Sequence, residues 1–414
     1  MIELLPTLIL STGLDHRFLA NQPGWLSLSI SEGLAYLALL VALLQMIVAD
    51  RSWRRHIVDR LTSIGAPIAI YAIWATAVSL ANLVLVRDSS SLHALKDAVP
   101  GLILAGIVIC TVDRPDRRRM LLDAVIAMIG LLGLLGILQH VAAVPYINPV
   151  DDNAYFKLAF LSQELVRRPI VGTLGHPNAL AEFLVPLVLL SVGLMHRKEM
   201  TCGTARSVAR FVGLGLACAG LILTQAKLAI GVLVAGAATL AVLKAIPIRH
   251  TRWSGVFVLV SLLTLGCAFV WALTSMGDNL PYVVDVSTLW ERVVLNSYAF
   301  DVMHDTPRVV GIGGGLALFA ESSPALLGVH NEYIKQVLEY GLPGAVLLSL
   351  LLLRCISPHR EGGDWGCAVP AMALMLLFTV EAATGSQLQS MLFLVLSASA
   401  TIGSDNHNPT AIAS

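Results

Sequence analysis

The readable chemistry of this sequence sits in one histidine, three basic residues and several glutamates at the ends of apolar runs. His330-Asn331 is followed by nine residues and then by Gly341-Leu342-Pro343-Gly344. Imidazole titrates near neutrality, so His330 can take a proton from a hydroxyl. Glu332, two residues on, is the alternative base. The spacing from His330 to Gly341 is about three helical turns, which puts both on one face of a helix. Pro343-Gly344 invites a kink, with Ser349 able to repair the freed backbone. Arg168, Lys227 and Arg292 suit an anion: guanidinium grips an oxyanion through paired donors, and ammonium is a point charge. Glu32, Glu182 and Glu381 stand, like Lys227, at the ends of apolar runs, where an ionisable group is costly and signals function by default. The alternative for any one of them is a side chain that snorkels to water. Asp151-Asp152 lacks an Asp-x-Asp spacing, and no Cys/His pair has zinc spacing, so no metal site is expected.

The elements that must hold these residues are membrane helices. Of 414 residues, 56% are hydrophobic and 13% charged, against about a quarter charged in a soluble domain. Apolar runs fall at 2–14, 25–49, 61–86, 95–112, 120–143, 178–196, 211–225, 228–243, 254–275, 332–356, 366–383 and 386–403. Most are of the roughly 17–25 residues that cross a bilayer as helix. The expected fold is an all-α polytopic membrane protein of about twelve transmembrane helices, a single membrane domain over 1–414. Met1–Leu14 lacks a basic start and an A-x-A site, so it reads as a short first span or re-entrant piece. Basic clusters at Arg51/Arg54/Arg55/Arg60, Arg114/Arg117/Arg118/Arg119, Arg197/Lys198/Arg206/Arg210, Lys244/Arg249/Arg252 and Arg354/Arg360 alternate with the spans and mark the inner face. Two outer loops remain, 144–177 and 276–330, the larger between spans nine and ten. Leu289, Val293, Phe300 and Met303 predict a helix in that loop lying on the membrane face. Gly311–Gly315 reads as a flexible turn. The inner halves of the spans read as apolar, which argues against a transport path. The net charge is +0, and no basic stripe suggests nucleic acid. The six cysteines lie outside the outer loops, so no disulfide framework is expected.

The loop motifs resemble those of the O-antigen ligase and Wzy-type polysaccharide polymerase superfamily. The order is Trp290-Glu291-Arg292, Asp305-Thr306-Pro307, Gly311-Ile312-Gly313-Gly314-Gly315, His330-Asn331 and Gly341. The first outer loop adds Gly172-Thr173-Leu174-Gly175-His176-Pro177-Asn178-Ala179-Leu180-Ala181, similar to the family's Gly-Thr-x-x-x-x-Asn-x-x-Ala stretch. The resemblance has motifs from 165 to 345 and rests on topology elsewhere. It implies a multi-pass protein of the bacterial inner membrane with its active site facing the periplasm. The implied reaction moves a glycan from undecaprenyl diphosphate to a sugar hydroxyl, inverting, without metal, nucleotide sugar or other cofactor. His330 matches the family's essential histidine and Arg292 its loop arginine. Lys227, Arg168 and Arg292 would hold the diphosphate; Arg168, beside Arg167, has lipid-headgroup contact as its alternative. Glu332, Asn331 and Glu182 are candidates for acceptor binding or the alternative base, and His176, His304 and Glu321 for sugar contact. Many ligases carry Ser-Arg where this chain has Thr224-Gln225-Ala226-Lys227, which looks more like the exopolysaccharide polymerase branch. The expected activity is therefore surface polysaccharide polymerase, with a chain-length regulator as an additional partner. The alternatives are an O-antigen ligase joining the glycan to lipid A core, a transporter of lipid-linked sugars, and a non-catalytic scaffold.

Overall fold

The structure is a computed structural model that describes residues 4–13, 30–85, 90–141, 174, 176–197, 200–224, 226–245, 260, 264, 286–322, 329, 331–356, 365–378 and 385–404. No strand occurs among the described residues. The helices are α1 (Leu4–Gly13), α2 (Ile30–Val48), α3 (Arg51–Ser63), α4 (Ala66–Leu85), α5 (Ser90–Thr111), α6 (Pro115–His140), α7 (Pro177–Met195), α8 (Thr204–Thr224), α9 (Lys227–Ala245), α10 (Val286–Asp305), α11 (Arg308–Ile312), α12 (Leu316–Ser322), α13 (Glu332–Ile356), α14 (Trp365–Phe378) and α15 (Gly385–Ser404). Seven of them, α4 to α9 and α13, are long and apolar enough to cross a membrane; α1, α2, α14 and α15 are shorter apolar helices. Among the described residues all regular structure is helical, the pattern of a polytopic membrane protein. The apolar run at 254–275 lies outside the described residues.

Packing follows small residues. Gly133 of α6 meets Leu216, Ala217 and Gly220 of α8, and Gly193 of α7 meets Gly366 of α14, so close that an added Cβ would collide with backbone. Lipid offers no hydrophobic drive between helices, and such close approach supplies dispersion contacts instead. α7 is buried along almost its whole length, and the apolar core runs continuously from it to α5, α6, α14 and α15. The lipid-facing side shows as exposed Leu342, Val346, Leu350 and Leu353 on α13 and a stripe of exposed leucines on α2.

The polar surroundings differ from expectation in three places. First, α3 is a short basic helix that the sequence reading leaves as loop. Asp50 starts it by accepting from the Trp53 amide at 2.8 Å, as an N-cap carboxylate does. Second, the arginine-rich ends are not apolar. Arg210, buried in α8, reaches Asp123 of α6 at 2.7 Å, with Arg206 at 3.6 Å from the same carboxylate. Positive charges placed two turns into a span must be paired, and Asp123 does that. Third, α10 carries a second apolar stripe beside the one predicted for it. Phe300 is 57% exposed, whereas Leu295, Ala299 and Val302 are buried. The reason is a small separate core: α10 packs with Val309, Phe319, Val329 and Leu338. Residues 286–322 thus fold as a cap over the start of α13 and touch α5 through α12.

Candidate functional site

α13 begins where the cap ends. Asn331 caps it: the side-chain oxygen accepts from the Ile334 amide at 3.1 Å and the carbonyl from the Lys335 amide at 2.9 Å. The first two turns carry Glu332, Lys335, Gln336 and Glu339, spaced so that all four share one helical face. That face is buried, with Glu332 and Gln336 fully so. It points at α4, α5 and α15, the reverse of a soluble amphipathic helix, because here the outside is lipid.

The helix then breaks. Gly341 has φ 74° and ψ 175°, outside the helical region and in one that favours glycine. The break is at Gly341 and not at Pro343-Gly344. Ser349 bonds to the Ala345 carbonyl at 2.8 Å, a full turn beyond the break, and repairs nothing there. Repair comes from other elements: the Leu338 carbonyl accepts from the Gly315 amide at 2.8 Å, and the Tyr340 carbonyl from the Trp74 indole at 2.9 Å. Pro343 has no N–H to offer the Glu339 carbonyl.

The glycine run of the cap is locked against this break. Gly313, at φ 69°, lies against the Glu339 carbonyl, and Gly341 lies against the Gly311 carbonyl; a Cβ on either would collide. Asn82 of α4 donates to the Ile312 carbonyl at 2.8 Å. The expected flexible turn is instead a docked one. Backbone approaches this close leave room for glycine alone, whatever the chain's intrinsic freedom.

Below the lock lies a charge network. Lys335 is 3.8 Å from Glu332 and 3.5 Å from Glu339. Glu332 also accepts from Gln336 at 2.8 Å and from Gln389 of α15 at 3.5 Å. Gln336 in turn accepts from the Tyr71 hydroxyl of α4 at 2.8 Å. Lys96 of α5 stands 3.6 Å from Glu32 of α2, and Asp97 acts electrostatically on both Lys335 and Glu339. Asp97 is seven residues into α5, about 10 Å along its axis. Among the described residues the network joins Glu32, Asp97, Glu332 and Glu339 with Lys96 and Lys335. Burying one unpaired ion costs several kcal/mol, so groups buried like these need partners.

Of the sequence candidates, Glu332 and Asn331 fall at this site. Both are engaged there in holding α13: Glu332 with no exposed surface, Asn331 as the cap. Glu32 joins the network through Lys96. Glu182, one turn into α7, is also buried. Lys227 is the first residue of α9 and Arg292 lies in α10; their side chains, together with His330, Arg168 and Glu381, lie outside the described residues. His176 caps α7 by accepting from the Asn178 amide at 3.2 Å. His304 and Glu321 are exposed on the cap. Sequence reading misses Lys96, Asp97, Lys335, Gln336, Glu339 and Gln389. The spacing of Glu332, Lys335, Gln336 and Glu339 was a usable signal; the convergence of α2, α5 and α15 was not. Compared with family models and with curated proteins, the chain matches none.

Proposed function

We propose that the chain is a glycan transferase of the inner membrane, working at the capped end of its bundle, with that end facing the periplasm. The reaction is transfer of a glycan from undecaprenyl diphosphate to a sugar hydroxyl, as a surface polysaccharide polymerase. Joining the glycan to lipid A core is the nearest alternative. In this reading the run at 254–275 is a twelfth span, and the cap belongs to a periplasmic loop at 276–330. One observation carries the proposal. The Gly311–Gly315 turn and Gly341, two of the stretches that carry the resemblance, are distant in sequence yet meet at one lock, and Asn331 caps the helix that ends there.

The roles divide by charge. Arg292, Lys227 and Arg168 carry the charge that suits a diphosphate, so they are assigned to hold it. Glu332 is committed to Lys335 and two amides, so the base role stays with His330. The acceptor oxygen attacks the anomeric carbon as the carbon–oxygen bond to the diphosphate breaks. The bonding pair leaves with the diphosphate, and His330 takes the hydroxyl proton. Fixed cations stabilise the leaving charge without a metal.

A second reading has its own support. A buried network of carboxylates and lysines on a broken helix is also where a transporter would couple ions to its substrate. Detergent-solubilised protein given a lipid-linked donor and a glycan acceptor separates the two. Transfer needs no sealed compartment, so longer product on a gel supports the transferase. Absence of product together with donor movement across a proteoliposome bilayer supports the transporter.

A further inference from the structure

At the end of the bundle away from the cap, α7 and α9 part. Higher up they touch closely: Gly236 of α9 packs on Leu189 of α7, where a Cβ would come within 2.7 Å of the leucine. One turn further the two helices enclose an open groove of about 510 Å³. Its walls are Val192 on α7 and Ala237, Leu240 and Ala241 on α9. Its mouth is polar: the Lys244 ammonium lies 3.2 Å from Nδ1 of His196. Burial first and the Lys244 charge second lower the His196 pKa. The neutral ring thus accepts from lysine through Nδ1 and keeps an N–H at Nε2. Lys244 has further N–H donors facing outward. Arg197 follows His196, and Lys198, Arg249 and Arg252 lie nearby in sequence.

We propose that this groove binds one anionic phospholipid, its acyl chain along Ala237 and Ala241 and its headgroup phosphate on Lys244 and His196. The apolar walls alone would not select a lipid, because they exchange one hydrocarbon contact for another. The selection comes from charge complementarity at the mouth, where a basic residue at the surface attracts anionic headgroups. This site is independent of the function proposed above.

The test uses the full chain in phosphatidylcholine nanodiscs, titrated with phosphatidylglycerol and read by native mass spectrometry of the released protein. Wild type should retain phosphatidylglycerol in preference to phosphatidylcholine. Lys244→Ala should weaken that retention roughly fivefold, the share of one basic residue, and Lys244→Arg should keep it. Ala241→Leu fills the groove from an exposed position and should weaken retention while leaving the headgroup residues in place. Millimolar inorganic phosphate should not displace the lipid. Equal retention of the two lipids would overturn the proposal. Full retention in Ala241→Leu would overturn the groove, leaving only surface attraction, and displacement by phosphate would overturn the lipid as its ligand.

Discussion

The two ends of the bundle handle buried charge in opposite ways. At the end away from the cap, arginines tie helices together. Arg60 donates to the Ile109 carbonyl at 2.6 Å, Arg354 to the Ser63 carbonyl at 3.1 Å, Arg117 to Asp113 at 2.6 Å and Arg210 to Asp123 at 2.7 Å. Each bond closes a helix end or joins two helices, and Asp123 keeps a third of its surface. At the capped end, charges are bound mainly to each other. Glu332, Lys335 and Glu339 lie on one buried face, roofed by a folded segment with its own core. Charge used for stitching is buried on one side at most: Arg210 is enclosed, but its partner Asp123 is partly solvated. Charge enclosed under a cap is costly enough to call for another purpose.

Removing a single member at each end should expose that contrast. Lys335→Met leaves Glu332 and Glu339 without their shared cation in a dry site and should cost about 3–5 kcal/mol. Thermal unfolding in detergent should show it as a large drop in Tm, and adding Glu339→Gln should recover part of it. Arg210→Leu leaves a partly solvated Asp123 and should cost less, about 1–3 kcal/mol. Equal shifts for the two variants would erase the distinction between the ends. The smallest effect is expected for Asn331→Ala, which removes the cap of α13 at about 1 kcal/mol. It should loosen the first turn, read as faster amide exchange at Ile334 and Lys335 with little change in Tm.

The membrane helices were legible because an apolar run of spanning length suits a bilayer and little else. Boundaries at Asp50 and Pro177 were legible in principle from capping chemistry, yet α3 is polar enough to pass for a loop. Lys96-Asp97 is hidden at the start of an apolar run, and its counter-charge Glu32 is 64 residues away. No spacing rule joins them; only the packing of α2 against α5 does. The second stripe of α10, at Leu295, Ala299 and Val302, was not legible, because its partners Val309, Phe319 and Leu338 come from elsewhere in the chain. The glycine run was visible as glycine but not as a lock, since its contact is with backbone at Glu339 and Tyr340.

The central claim, that the capped end performs glycan transfer with His330 as base and a cation clamp in place of metal, is tested most directly by one assay. Purified protein, lipid-linked donor and acceptor are incubated in EDTA, and product is followed by gel shift beside donor binding. Wild type should form product. Arg292→Ala and Lys227→Ala should each lose about 2–4 kcal/mol of transition-state stabilisation, with Lys227→Arg tolerated best. His330→Gln should lose about 10²–10⁴-fold in rate, the usual share of a general base, while still binding donor. Near-normal turnover in His330→Gln, or strict dependence of wild type on added divalent metal, would contradict the account.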